Sequence, residues 1–188
     1  MRVELRGKVV LITGASSGIG AKVAVLLAER GAIPILTARS VDKMEKLTAS
    51  LAGEHAVYGM DVRSDEQVRE TMARVVERYG KIDVLLNNAG YGEFVRFADA
   101  PVSHFQEMMD VNYMGSVRCA HAALPYMLQA GQGHIVNVAS MAGKMATAKS
   151  TAYSATKHAV LGFTNALRQE LQGTGIAVSA GNPGPIDT

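Results

Sequence analysis

Short apolar runs rich in valine, isoleucine and leucine alternate with longer amphipathic stretches along the whole chain. The runs near Val9 to Thr13, Ile33 to Thr37, Ala56 to Gly59, Val84 to Leu86, His134 to Ala139 and Ile176 to Ala180 predict strands. The amphipathic intervals predict helices between them. The first should begin near Ser17 and stop at Gly31, since glycine suits the left-handed conformation that ends helices. Ser64 and Gln67 have capping-box spacing at the start of another, with Gly80 at its far end. Two long helices are expected near Val102 to Ala130 and Ala152 to Gln172. Pro34 has no N–H to donate and is tolerated only at the start of its strand. Short, nearly continuous apolar strands suit a parallel sheet covered on both faces, and right-handed crossovers make such a sheet doubly wound. The expected fold class is therefore α/β, a doubly wound parallel sheet with helices on both faces.

Composition narrows the picture. A chain of 188 residues, 48% hydrophobic, can bury one sizeable core and is short for two domains, so one domain over 1–188 is expected. The formal charge of +2 is spread without a basic run, and no nucleic-acid partner is expected. Cys119 is the only cysteine, which rules out an intramolecular disulfide and reads as a small buried hydrophobe in a helix. The amino terminus carries Glu4 and Arg6 rather than a signal peptide's apolar run, and no apolar segment approaches the roughly 20 residues of a membrane helix. A cytoplasmic protein without a membrane anchor is the expectation. His55, His104, His121, His134 and His158 form no ligand-like cluster, so no metal is expected.

In parallel sheets of this kind, ligands bind beyond the carboxyl ends of the strands. Here each predicted strand ends in small or polar residues: the turn from Gly14 to Gly20, Arg39, Asp61, the run Asn87-Asn88-Ala89-Gly90, Ser140, and the segment from Pro183 to Thr188. Together they outline a groove long enough for a dinucleotide. Gly14, Ser16, Ser17, Gly18, Ile19 and Gly20 lie where a strand gives way to a helix, and glycines there allow a tight turn and close approach of backbone amides to phosphate oxygens. About eighteen residues beyond Gly20, where a carboxylate would hold a ribose diol, stand Ala38 and Arg39. A guanidinium in place of a carboxylate suits a 2′-phosphate, so NADP(H) is the preferred cofactor and NAD(H) the alternative. Tyr153 and Lys157 are four apart and share one helical face. A lysine cation about 4 Å from a phenolate is worth roughly 4 kcal/mol at an effective dielectric near 20, enough to bring a phenol into use near neutral pH.

These residues resemble the short-chain dehydrogenase/reductase family, specifically its single-domain branch with a TGxxxGxG cofactor motif. The resemblance covers essentially the entire chain, through Thr13 to Gly20, Asp61, Asn87 to Gly90, the Ser140/Tyr153/Lys157 set and the Pro183-Gly184 turn. It implies a Rossmann fold and hydride exchange between the cofactor and a carbonyl or secondary alcohol substrate. It also implies that Tyr153 is the general acid/base, that Lys157 binds the nicotinamide ribose and eases ionisation of the phenol, and that Ser140 positions the reacting oxygen. Asn112 matches the family's fourth catalytic position, which holds a water in a proton relay. Asp61 and Val62 resemble the adenine-contacting pair, and Asn88, Ala89 and Gly90 line the adenosine and ribose side. Pro183, Gly184, Ile186 and Thr188 match the family's segment near the carboxamide and phosphates.

Family members continue past the position of Thr188 into a substrate loop, further helices and a seventh strand. The expectation is that the native chain also continues, because the strand at Ile176 to Ala180 would otherwise be an exposed edge. Tyr91, Phe94, Met141 and Met145 hint at an apolar substrate wall. The resemblance further implies a homo-oligomer, tetramer or dimer, built on the two long helices, with Ala155, Ala159, Leu161 and Phe163 serving either core or interface. The alternative function is a catalytically silent NADP(H)-binding sensor or partner subunit, which would have no need of the complete Asn112/Ser140/Tyr153/Lys157 set. Nucleotide-sugar epimerisation is disfavoured by the glycine spacing.

Overall fold

The computed structural model describes residues 4–184. Six parallel strands form one sheet: β1 (Val9–Thr13), β2 (Ile33–Ala38), β3 (Ala56–Gly59), β4 (Val84–Asn87), β5 (Gly133–Val138) and β6 (Ile176–Gly181). Their spatial order is β3-β2-β1-β4-β5-β6, so the connection from β3 to β4 crosses the sheet and opens a crevice between the ends of β1 and β4. Helices α1 (Gly18–Glu29), α2 (Val41–Thr48), α3 (Asp65–Tyr79), α4 (Val102–Met109), α5 (Gly115–Ala130) and α6 (Thr151–Glu170) supply the crossovers.

All five residues of β1 are buried, because alternate side chains enter two different cores. Val9 and Leu11 pack with Met72 of α3, Cys119 and Met127 of α5 and Leu167 of α6. Val10 and Ile12 pack with Ala24 of α1 and Met44 of α2. Both faces of the sheet are thus covered, as the apolar runs predict. Pro34 is accommodated because β2 begins by pairing with β1 only: Ile33 donates to Lys8 O, and pairing with β3 starts at Ile35. The proline falls where no ladder bond is required. On the far side of β6, Arg168 Nε donates to Val178 O at 2.7 Å and so occupies part of that strand's outer edge.

Capping chemistry sets α3. Ser64 Oγ accepts from Gln67 N at 3.3 Å, and Gly80 ends the helix at φ +75°. The return arm of the capping box departs from expectation, since Gln67 Oε1 accepts from Asp61 N at 2.8 Å rather than from Ser64. Ser64 N is already bonded to Asp61 O, leaving the Asp61 amide as the open donor. The helix expected over Val102 to Ala130 is also interrupted by a single π turn, Asp110–Met114. Behind it Gly115 meets Val62 so closely that a Cβ would stand 2.7 Å from Val62 Cγ2.

A buried polar chain ties the strands to the helices beneath the crevice. Asn87 Nδ2 donates to Asn137 Oδ1 (2.9 Å) and to Ser116 O (3.2 Å), while Asn137 Nδ2 donates to Thr164 Oγ1 (2.9 Å). Ser116 Oγ continues to Asn112 O at 3.2 Å. Asn137 is wholly buried, so Asn137→Leu would remove one of the two acceptors of the Asn87 amide and the donor to Thr164. We expect a loss of about 2–3 kcal/mol in urea unfolding, and a loss below about 0.5 kcal/mol would show that the chain of bonds contributes nothing.

Candidate active site

The end of β1 is shaped by backbone contacts that only glycine permits. Gly14 has φ +66°, and a Cβ there would lie 2.8 Å from Ala89 Cα. At Gly20 a Cβ would stand 2.6 Å from Asn88 Nδ2 and 2.7 Å from Gly14 O. Thr13 locks the neighbouring loop, its Oγ1 accepting from Asn88 N (3.0 Å) and Ala89 N (2.9 Å). The Asn88 side chain turns back onto the glycine turn, donating to Thr13 O and Gly14 O. Ser17 precedes α1 without bonding its side chain to the helix, so the first-turn amides keep their positive end for an external anion. Ser16, Gly18 and Ile19 share the cavity wall with it. The donor set and the glycine cradle fit a pyrophosphate.

From this turn a cavity of about 750 Å³ runs in two directions along the strand ends. Toward β2 and β3 it is lined by Arg39, Ser40, Met60, Asp61, Val62 and Arg63. The Asp61 carboxyl is held below the ordinary carboxylate range, chiefly by its hydrogen bonds from the Arg63 side chain, against a smaller opposing effect of burial. Toward β4 and β5 the wall passes Ala89, Gly90 and Val138 to Tyr153, Lys157 and Pro183. Pro183 is brought there by its carbonyl, which accepts from Met141 N at 3.0 Å.

Tyr153 and Lys157 emerge one turn apart on α6. Lys157 is 5% exposed, its Nζ donates to Val138 O at 2.8 Å, and it stands 5.6 Å from the centre of the Tyr153 ring. Burial pushes its ammonium down to about 8. The Tyr153 ring is held by neighbours: a Cβ at Gly92 would be 3.1 Å from it, and the Phe94 ring centre lies 6.1 Å away. Phe94 is 63% exposed, and Met141 and Met145 are exposed as well.

Asn112 sits inside the π turn, 1% exposed, with both N–H bonds and one acceptor position of its side chain in use. Its Oδ1 accepts from Tyr91 N (2.9 Å), and its Nδ2 donates to Tyr91 O (2.8 Å) and Thr156 Oγ1 (3.1 Å). Thr156 Oγ1 in turn donates to Tyr153 O at 2.7 Å. The amide therefore clasps the loop after β4 to the tyrosine's own helix. It does not line the cavity, and neither do Gly20, Ser140 and Gly184. Gly20 is behind the turn, where the close contacts are. Ser140 Oγ accepts from Ala142 N at 3.1 Å, which leaves the hydroxyl hydrogen free to donate. Ile186 and Thr188 lie outside the described residues.

The sequence profile of the family described as "short chain dehydrogenase" matches residues 8–188. The chain belongs to the short-chain dehydrogenase family. Among its relatives is an uncharacterized oxidoreductase of Staphylococcus aureus strain N315, 40% identical over 98% of this chain and 80% of that protein. Another, from Staphylococcus saprophyticus, is 40% identical over 99% of this chain and 81% of its own length. A variant of actinorhodin polyketide ketoreductase, solved with NADPH, superposes with a TM-score of 0.93 at 38% identity, covering 96% of this chain and 71% of that one. A short-chain dehydrogenase from Streptomyces avermitilis superposes with a TM-score of 0.92 at 34% identity, over 97% of this chain and 67% of its own. This dehydrogenase is thus an oxidoreductase with a Rossmann-like parallel sheet, of a family that uses NAD(P)(H).

Several features were not legible in the sequence of this family member. Arg63 lines the cavity although it belongs to none of the sequence motifs, and Val111 lines it beside Asn112, which does not. Phe163 turns inward, its ring 6.2 Å from Tyr113, whereas Ala155 is exposed on the same helix. Cys119 is fully buried, and burial pushes its thiol up to about 12, which leaves it unreactive. Among the described residues no helix is long and apolar enough to cross a membrane.

Proposed function

We propose that this protein is an NADP(H)-preferring reductase or dehydrogenase that exchanges hydride with a carbonyl or secondary alcohol carbon. The observation that carries this reading is the placement of Tyr153 and Lys157 at one end of a single cavity whose other end holds Arg39 and Asp61. The NADPH bound by the polyketide ketoreductase supports the cofactor assignment.

When bound, the dinucleotide supplies the hydride, and the chain supplies everything else. The amides of the Gly14–Gly20 turn and the start of α1 hold the pyrophosphate. Arg39 takes the 2′-phosphate. Lys157, already donating to Val138 O, has further N–H bonds for the nicotinamide ribose. Tyr153 gives its phenolic proton to the carbonyl oxygen in reduction and removes it in oxidation, while the Ser140 hydroxyl holds that oxygen by donating to it. Asn112 acts through the loop and helix that it clasps. Residues 1–188 form one nucleotide-binding domain, the protein is cytoplasmic, and it assembles as a homo-oligomer through α5 and α6.

Titrating the purified protein with NADPH and NADH tests the cofactor choice. Arg39→Ala should weaken NADPH about 10–100-fold, the loss of a charge-assisted contact, with NADH changed less than about threefold. Equal weakening of both would mean that Arg39 does not meet the 2′-phosphate. Oxidation of NADPH against a panel of ketones, followed at the nicotinamide absorbance, tests the reaction, and the absence of turnover with every carbonyl would count against it.

A further inference from the structure

Tyr153 stands just before the hydrogen-bond ladder of its own helix begins. The next amide, Ser154 N, is the one that donates a turn back, to Ser150 O at 2.7 Å, and the first-turn amide of Tyr153 lies outside that ladder. Its carbonyl is gripped from the side, accepting from the Thr156 hydroxyl at 2.7 Å. That hydroxyl is itself fixed, because Thr156 Oγ1 accepts from Asn112 Nδ2 at 3.1 Å and the two residues are 0% and 1% exposed. Among the described residues, two side-chain bonds tie the turn from Tyr153 to Lys157 to other elements. One runs from the Lys157 ammonium to Val138 O on β5. The other, from the π turn to Thr156, is made by two residues that do not line the cavity. On the Ser140 side the constraint is steric, since a Cβ at Gly143 would lie 2.7 Å from Lys157 O.

We propose that Thr156 is a positioning residue of this dehydrogenase, and that its hydroxyl carries the placement of the Asn112 amide to the backbone of Tyr153. Resting on Tyr153 as the proton donor, this assignment deepens that reading by naming the group that sets where the phenol stands. The loop that Asn112 holds through Tyr91 and the helix that bears the tyrosine then share one buried anchor. A hydroxyl can accept from the amide and donate to the carbonyl at once. Valine has the same shape and can do neither.

Thr156→Val removes both of these bonds and leaves those between Asn112 and Tyr91 in place. In the NADPH-oxidation assay its kcat should fall about 10–100-fold, the cost of roughly 1 Å of misplacement, with ketone KM and NADPH Kd held within about threefold. Thr156→Ser restores the hydroxyl and should return kcat to within about threefold of native. Adding Asn112→Ala to Thr156→Val should cost less than the product of the two single losses, because both act on one chain of bonds. Circular dichroism confirms that each variant is folded, and Thr156→Ala carries the same comparison if the valine variant does not fold. Losses that multiply would show that Thr156 and Asn112 act separately, and the proposal would be wrong. A serine variant no faster than valine would overturn it too, as would a loss seen only in NADPH Kd or urea stability, which would leave Thr156 a structural residue. Native turnover that is lost in Tyr153→Phe yet kept by Thr156→Val would remove this proposal alone. A native protein that turns over no carbonyl would remove the proton transfer itself, and the proposed function with it.

Discussion

Carbonyl turnover by the Tyr153→Phe variant is expected to fall by about 10²–10⁴, the usual contribution of a positioned general acid, equivalent to about 3–5 kcal/mol of barrier. The substitution is selective because it removes one hydroxyl and leaves the ring, which Phe94 and the backbone at Gly92 hold in place. Nucleotide affinity should therefore stay within about threefold of the native value, measured by calorimetry beside the NADPH-oxidation assay. Turnover that survives nearly intact would mean that another group delivers the proton. A native protein that binds NADPH tightly yet reduces no carbonyl would favour the silent sensor over the enzyme.

Lys157→Met should abolish turnover as thoroughly and yet give a more stable protein at pH 7. Below about pH 8 the folded chain carries a desolvated ammonium where the unfolded chain carries a solvated one, so this charge opposes folding. Between about 8 and the ordinary lysine value of 10.5, the folded chain releases the proton while the unfolded chain still holds it, and native stability rises with pH. Methionine removes that penalty and loses the bond to Val138 O. The net gain at pH 7 should be about 1–2 kcal/mol, roughly 3–6 °C in Tm, and should shrink as the pH approaches 10. A Met variant less stable than the native protein at every pH would show that the hydrogen bond outweighs the desolvation. If Lys157 holds the ribose as proposed, cofactor affinity in the native protein should decline as pH rises through about 8 and the ammonium loses its charge.

Much of this site could be read in advance, for a local reason. The glycine turn, the Tyr153–Lys157 spacing and the caps at Ser64 and Gly80 depend on residues a few positions apart, and such patterns are written into the order of the chain. The six strands followed from their apolar runs, most plainly β1, whose burial on both faces makes its run continuous. The place of Arg63 in the cavity wall is not legible in the sequence, because an arginine before a helix has no distinguishing pattern and distant elements complete that wall. The place of Asn112 in the chain matches a site position of the family. Its actual contacts, to Tyr91 and Thr156, depend on a π turn that periodicity does not foretell.

By itself, then, the amino-acid sequence determined the element types, the fold class and the identities of the groups gathered at the strand ends. Periodicity, capping and glycine conformational freedom act over short stretches of chain. Only the tertiary structure decided which of those groups face the cavity and which are spent on one another. Asn88 and Asp61 line the cavity while bonded to the glycine turn and to Arg63, whereas the Asn112 amide is turned to the loop beside Tyr153 and does not line it. A polar atom's availability depends on every donor and acceptor that folding brings within about 3 Å of it, and partners such as Asn88 and Thr13 lie 75 residues apart.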